Sequence, residues 1–180
     1  MIYGSKKENM INTNFYKMKT KLTLVLLIAA SFLTNAQSND KCAEDIQYLV
    51  QFTKSKDYND AYPYLQNMRK TCPSYHKAIY IYGEFILMDK INNAQVAAEK
   101  EALVKDLVVL YGEHDKYYPG NGAGNSIKKS MLLLDHKIGT KEEVYGYLDA
   151  AFKTDPENFT SARALYTYFE LFVDDYEAGN

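Results

Sequence analysis

The sequence has no tryptophan, two cysteines, four prolines and three histidines in 180 residues. The histidines, at 76, 114 and 136, form no HExxH motif and no i, i+4 pair, which disfavours a zinc site. No CxxC motif is present, and the loop 120–125 before residues 128–130 lacks the GxxxxGK[ST] spacing of a phosphate-binding loop. We therefore predict no metal, no cofactor and no catalytic residue.

The start of the chain has the composition of an export signal. A basic segment at 17–21 is followed by an apolar run at 22–33 and by small residues at 34–36. This order is typical of a secretory signal peptide, and the run is shorter than the roughly 20 residues of a membrane-spanning helix. We predict a leader over residues 1–36 that is cleaved after Ala36. An uncleaved leader that anchors the chain is the alternative, and it is the only membrane contact we expect.

The predicted leader also changes the charge balance. It holds five lysines and one glutamate, so residues 37–180 carry 16 basic and 22 acidic residues and a net charge of −6. Without a Lys/Arg cluster, this balance disfavours nucleic acid as a partner. Met18 lies inside the basic segment, which marks residues 1–17 as a start-site artefact. We expect an exported bacterial protein, periplasmic or secreted.

Residues 37–180 show the periodicity of helices. Apolar residues recur at helical spacing in seven segments, which are separated by turn or breaker residues. The predicted helices are 43–54, 58–70, 75–89, 95–114, 126–136, 141–153 and 160–177. In the fourth we expect Val96, Leu103 and Leu107 to face inward. Since no segment reads as a strand, the predicted class is all-α.

The two cysteines, Cys42 and Cys72, lie at the start of the first predicted helix and just after the second. Two antiparallel helices of equal length bring these ends together, and an exported protein can form disulfides. Such a bridge closes a loop of about 30 residues and contributes roughly 3 to 4 kcal/mol in the chain-entropy model. Two separately buried thiols are the alternative.

A seam of small and apolar residues recurs along three predicted helices. It comprises Ile79-x2-Tyr82-Gly83-x2-Ile86 in the third helix, Ala61-x3-Leu65 with Pro73 in and after the second, and Val144-x3-Leu148 with Ala151 and Pro156 in and after the sixth. Ala61 and Val144 are 83 residues apart, and so are the two prolines. Glycine is costly in the middle of a helix, so we expect Gly83 to permit the close approach of a neighbouring helix.

These motifs resemble the tetratricopeptide repeat (TPR), a helix–turn–helix of 34 residues with the seam W-x2-L-G-x2-Y, a later A-x3-F and a closing proline. The resemblance covers residues 42–177, with isoleucine in place of the tryptophan and one unit enlarged by about 15 residues. It implies antiparallel helix hairpins stacked as a degenerate TPR-like α-solenoid over residues 37–180. The chain is similar to the exported repeat proteins of Bacteroidetes-type bacteria, most of which have no assigned function.

The resemblance implies that the first helix of each hairpin lines a concave groove for peptides or partner proteins. We therefore expect a non-catalytic binding scaffold of the cell envelope, with a protein or peptide partner. Candidate groove residues lie off the seam on the third, fifth and seventh helices: Lys77, Tyr80, Glu84, Lys129, His136, Arg163, Thr167 and Glu170. A solvated polar face is the alternative interpretation of each.

Two other functions are carried as alternatives. A glycan-binding accessory protein is motivated by the 17 tyrosines, and it requires rings such as Tyr75, Tyr80 and Tyr118 to be exposed together. An enzyme with a helical active site that no motif reveals requires a pocket that holds a carboxylate or histidine of shifted pKa.

The last predicted helix carries a wide apolar stripe of Leu165, Tyr168, Phe169 and Phe172, and the sequence ends at Asn180. Terminal repeats normally present a polar outer face. We therefore expect either self-association through this helix or a chain truncated at its C-terminus.

Overall fold

A computed structural model describes residues 40–120, 123–177 and 179, without the side chain of Asp175. These residues form seven α-helices and one 3-10 turn, and they contain no β-strand. The helices are α1 at 40–54, α2 at Tyr58–Thr71, α3 at Ala78–Asn93, α4 at Ala97–Tyr117, α5 at Gly124–His136, α6 at Lys141–Thr154 and α7 at Ala162–Glu177, and the 3-10 turn is Pro156–Asn158. The predicted all-α class is confirmed. The predicted leader lies outside the described residues.

Helix α3 departs most from its predicted bounds, since it begins at Ala78 instead of residue 75 and ends at Asn93 instead of residue 89. Nδ1 of His76 accepts a hydrogen bond from the backbone N–H of Ala78 at 3.0 Å. The Tyr80 hydroxyl donates to the carbonyl of Pro73 at 2.9 Å, which ties the preceding loop to the helix. These side-chain bonds fix the start of α3, and apolar periodicity does not reveal them.

Residues 45–180 form one compact unit. From α2 to α7, each helix packs against the helix that follows it in sequence. The described residues before the unit, 40–44, are helical. Among the described residues, no helix is long and apolar enough to cross a membrane.

Two tight helix contacts meet at Gly83, in the middle of α3. A Cβ atom there would lie 2.8 Å from Cδ1 of Leu65 on α2 and 3.1 Å from Cδ1 of Leu110 on α4. Both leucines are fully buried, so neither can move aside without disturbing the core. The missing side chain of Gly83 therefore allows α3 to lie close to both neighbours. The expected close approach is confirmed.

Most of the predicted seam is in the core. Eight of its residues are buried, namely Ala61, Leu65, Ile79, Gly83, Ile86, Val144, Leu148 and Ala151. Tyr82 and Pro73 are half-buried, and Pro156 is exposed in the 3-10 turn that follows α6. The prolines follow the ends of α2 and α6, where they cannot continue a helix.

A charged contact joins α2 to α4. The side chain of Arg69 is almost fully buried, and its guanidinium contacts Asp106 and Glu113 at 2.8 Å each. Burial alone would lower the pKa of Arg69, but the two carboxylates outweigh it and raise this pKa. An arginine buried at this depth needs such partners, because an unpaired buried charge costs several kcal/mol.

The turn between α5 and α6 has well-defined ends. Lys137 adopts left-handed backbone at φ 56°, and the next N–H, of Ile138, donates to the carbonyl of Leu133 at 2.9 Å. This geometry satisfies the last carbonyls of α5. Helix α6 then begins with a capping box, in which Thr140 and Glu143 each accept a backbone N–H from the other.

Cys42 and Cys72 are both disulfide-bonded, and neither is free. Since the sequence contains no other cysteine, the predicted bridge is confirmed, and the alternative of two separate thiols is excluded. A disulfide is typical of proteins that fold in an oxidising compartment.

The expectation that Val96 faces inward was wrong. Val96 is 60% exposed because it is the residue before α4, with extended backbone at φ −98° and ψ 125°. Helical periodicity does not hold for an extended residue. The buried face of α4 begins at Leu103 and continues through Val104 and Leu107.

We expect Gly83→Ala to lower the free energy of unfolding by about 1 kcal/mol. Crowding of the new methyl group against two buried leucines should outweigh the roughly 1 kcal/mol of helix propensity that alanine adds. Gly146 of α6 is a matched control, because a Cβ there would meet no atom within 4 Å. Gly146→Ala should therefore raise the free energy of unfolding by about 0.5 to 1 kcal/mol. Urea unfolding followed by circular dichroism measures both, and equal stabilisation by the two alanines would contradict the close approach.

Candidate functional site

Helices α3, α5 and α7 are connected by ion pairs on the surface of the protein. Lys128 of α5 donates to both carboxylate oxygens of Glu84 on α3, at 2.6 and 2.9 Å. Arg163 of α7 donates two hydrogen bonds to Asp135 near the end of α5. Two of the predicted groove residues, Glu84 and Arg163, are thus each paired with a charge on α5.

A recess of about 390 Å³ lies between α3 and α5, and we call it the α3–α5 cleft. Phe85 is 53% exposed and Ile81 is 41% exposed. The apolar pair lies one helical turn apart on α3, next to the Glu84–Lys128 ion pair. The residues that line the cleft are Ile81, Glu84, Phe85, His114, Gly124, Asn125 and Lys128.

A hydrogen-bond network at the start of α5 connects the cleft to α4. The Asn125 amide donates to Oδ1 of Asp115 at 2.6 Å and lies 3.4 Å from Nδ1 of His114. Lys129 donates to the other oxygen of Asp115 at 3.1 Å, and its ammonium lies 5.6 Å from the centre of the Tyr147 ring. Asn125 and Lys129 are both buried. The charge of Lys129 is therefore compensated inside the protein.

His114 is the titratable group of the cleft that lies nearest the aromatic residues of the core. Its ring is stacked on Tyr80, with centroids 5.3 Å apart and planes at 9°. Burial lowers the pKa of His114 below its ordinary value of 6.5, because it disfavours the charged imidazole. Asp115 and Glu84 act in the opposite direction, and Lys128 adds to the lowering. At neutral pH this end of the cleft carries a neutral imidazole.

A second recess, of about 500 Å³, lies around the α5–α6 turn and α7, and we call it the α5–α7 pocket. Leucine, isoleucine and valine side chains contribute five of its lining residues, and two carboxylates and two lysines contribute four more. One of these charged pairs is formed by Lys141 and Asp174 at 2.9 Å. The lining residues are Leu133, Leu134, Lys137, Ile138, Gly139, Thr140, Lys141, Val144, Thr167, Glu170, Leu171 and Asp174.

The structure divides the eight predicted groove residues by location. Glu84 lines the α3–α5 cleft, and Thr167 and Glu170 line the α5–α7 pocket. Lys77 is exposed before the start of α3, Arg163 is exposed in its ion pair, and His136 is half-buried in the last turn of α5.

Tyr80 and Lys129 do not have the expected solvent-facing position. Tyr80 is 1% exposed, because its ring packs against His114, Tyr117 and Tyr118 while its hydroxyl bonds to a loop carbonyl. Lys129 is buried because Asp115 neutralises it. We therefore assign both residues to the interior.

The three tyrosines named for a glycan platform are not exposed together. Tyr75 is exposed, Tyr80 is buried, and Tyr118 is half-buried with its hydroxyl bonded to the carbonyl of Ser74. A sugar-stacking surface needs rings that lie open side by side. This arrangement does not support the glycan alternative.

Sequence reasoning missed the apolar pair of the cleft. Ile81 and Phe85 are four residues apart on α3 and lie off the seam formed by Ile79, Gly83 and Ile86. A second apolar stripe on one helix indicates a second contact surface, so their spacing contained a usable signal. His114 and Asn125 carried no such signal, because they meet only when α4 and α5 pack together.

No protein-family model matches this chain, and no significantly similar curated protein or solved structure is found. Among the described residues, no group of three or more His, Cys, Asp or Glu side chains could hold a metal ion.

We expect the stability of the protein to fall between about pH 7 and pH 5, in part through His114. Because its pKa is lower in the folded chain than in the unfolded chain, the unfolded state takes up the proton first. The contribution of His114 is thus fully present above about pH 6.5 and is lost as the pH falls toward its folded pKa. NMR titration of the His114 ring in the folded chain and in the urea-unfolded chain measures the difference. A folded pKa at or above the unfolded one would contradict the proposed burial effect.

Proposed function

We propose that this chain is a non-catalytic binding protein of stacked TPR-like hairpins, and that it holds a polypeptide segment of a cell-envelope partner in the α3–α5 cleft. The observation that carries this proposal is the exposure of Ile81 and Phe85 beside the Glu84–Lys128 ion pair. Apolar area supplies affinity in such a site, and neighbouring charges supply orientation and selectivity.

The lengths of the helices support a repeated hairpin unit. Helices α2 and α6 both have 14 residues, begin 83 residues apart and end 83 residues apart. Helices α3 and α7 both have 16 residues and are offset by 84 residues. A two-hairpin unit that occurs twice fits the enlarged spacing of the predicted TPR-like array.

Contacts between alternate helices also support stacking. Ion pairs join α2 to α4, α3 to α5 and α5 to α7. In a stack of hairpins, the first helices of neighbouring hairpins lie side by side, and so do the second helices. The observed pairs follow this rule, since α3, α5 and α7 are the first helices in this scheme and α2 and α4 are second helices.

The area of the cleft favours a polypeptide over a small ligand. Covering the exposed half of a phenylalanine, on the order of 100 Å², contributes about 2.5 kcal/mol. Association costs at least about 4 kcal/mol in lost translational and rotational freedom. The cleft alone therefore binds weakly, and a partner needs further contacts to form a stable complex.

The α5–α7 pocket offers those contacts. The cleft uses α5 between Gly124 and Lys128, whereas the pocket uses Leu133, Leu134 and Lys137 of the same helix. At 1.5 Å per residue, the two sites are roughly 10 Å apart along α5. About four residues of extended chain cover this distance. We expect a partner segment with two apolar anchors at about this spacing.

The charges around both recesses support binding without catalysis. Glu84 is paired with Lys128, and Asp174 is paired with Lys141. A paired carboxylate is held in its ionised form and is a poor general acid at neutral pH. The disulfide is consistent with export to an oxidising compartment, where an envelope partner would be met.

Affinity capture from envelope extract, with mass spectrometry of the bound polypeptides, tests the proposal. We expect a specific polypeptide with the wild-type chain and at least tenfold less of it with Phe85→Ser, because the apolar anchor site is removed. Glu84→Lys should also reduce capture, since it places two like charges across the cleft.

Val109→Ser on α4 is the matched control. Val109 has the same 53% exposure as Phe85 but lies outside both recesses. It should capture the same polypeptide as the wild type. Equal losses in both serine variants, or no loss in either, would contradict binding in the α3–α5 cleft.

A further inference from the structure

The solvent side of α7 is an aromatic and aliphatic surface. Its large apolar side chains are between 47% and 76% exposed. We call these residues the α7 stripe: Leu165, Tyr166, Phe169, Phe172 and Tyr176. A continuous exposed apolar patch on a helix usually marks a contact surface for another molecule. The α7 stripe shares no residue with the α3–α5 cleft or the α5–α7 pocket.

The stripe is separate from the face that holds α7 in the protein. Ala164 and Thr167 are buried on that face. The hydroxyl of Tyr168 donates to Asp149 on α6 at 2.9 Å. Helix α7 is thus anchored from one side, and the stripe on its other side is uncovered.

The spacing of the stripe fits another helix. Leu165, Phe169, Phe172 and Tyr176 are separated by four, three and four residues, which is the spacing of a helix–helix seam. They span about 16 Å along the helix at 1.5 Å per residue. A partner helix of about three turns or more would cover this length.

The charge beside the stripe specifies the partner further. After Arg163, α7 contains four carboxylates and no lysine or arginine. Arg163 itself is already bonded to Asp135. Within the described residues, Glu170 and Glu177 have no ion-pair partner. An acidic margin beside an apolar seam favours a helix with basic residues beside its own seam.

The chain contains one example of the same combination. On α3, the exposed pair Ile81 and Phe85 lies next to the carboxylate of Glu84, and the helix beside it, α5, supplies Lys128 to that carboxylate. Offset by 84 residues, Leu165 and Phe169 of α7 correspond to Ile81 and Phe85. At this position on α7, no described helix supplies the lysine.

A second copy of the chain fits the stripe poorly. Two α7 helices brought together would place eight carboxylates near one seam, with no unpaired basic residue on either helix. Like charges that meet at an interface cost several kcal/mol in wrong pairings. The acidic margin also disfavours an anionic membrane surface.

We infer that the α7 stripe is a docking surface for a basic amphipathic helix of another protein. The apolar seam of that helix packs on Phe169 and Phe172, and its lysines or arginines lie beside Glu170 and Glu177. This surface acts in addition to the proposed cleft.

Fluorescence anisotropy of model peptides on the full chain tests this inference. The probe is a fluorescein-labelled helix of about fourteen residues, with leucines at seam spacing and lysines elsewhere, and its counterpart has glutamate in place of every lysine. We expect the lysine peptide to bind, the glutamate peptide to bind roughly tenfold more weakly or not at all, and added salt to weaken the lysine peptide. The variant Phe169→Ser with Phe172→Ser should bind the lysine peptide at least tenfold more weakly.

Val109→Ser and Phe85→Ser are the controls, and both should bind the lysine peptide like the wild type. Since Phe85→Ser removes the cleft anchor, failure of the cleft proposal leaves this result unchanged, and the reverse also holds. Equal binding of both peptides would overturn the inference. Sedimentation that shows a dimer dissolved by the double variant would assign the stripe to a second copy. Binding to phosphatidylglycerol vesicles that the double variant abolishes would assign it to a membrane.

Discussion

The close approach of three helices at Gly83 is the constraint on which the rest of the structure depends. With no side chain at this position, α3 lies against Leu65 of α2 and Leu110 of α4. A larger residue would separate the first two hairpins and displace the face of α3 that carries Ile81 and Phe85. The backbone freedom that glycine loses on folding is offset by this packing. The position of the α3–α5 cleft therefore follows from one missing side chain.

Once the helices lie this close, charged contacts can reach across every second helix. Arg69 joins α2 to α4, Lys128 joins α5 to α3, and Arg163 joins α7 to α5. The exposed pairs among these contribute little to stability, since surface ion pairs are worth about 1 kcal/mol or less. Their effect is on recognition, because they place charges beside apolar recesses. The fold thus presents apolar area with charged margins at the cleft, and a similar surface along the outer side of α7.

Much of the fold could be predicted from sequence, and much less of the site. All seven helices follow from apolar periodicity and breaker residues, and the disulfide follows from the placement of Cys42 and Cys72 at the ends of a hairpin. Tyr80 was assigned to a solvent-facing groove because the seam left it outside, but its ring is buried by residues of α4 that are more than 30 positions away in sequence. The network of His114, Asp115 and Asn125 likewise depends on which turns of α4 and α5 meet, and periodicity within one helix carries no information about that.

The most direct test of the central claim is photo-crosslinking from the cleft. Benzoylphenylalanine is placed at Phe85 in one chain and at Val109 in another, and each is irradiated in envelope extract. Binding in the α3–α5 cleft predicts a discrete crosslinked polypeptide from position 85 and none from position 109, since the two side chains are equally exposed and differ in location. No adduct at position 85, or the same adduct from both positions, would contradict the claim that this cleft binds a polypeptide.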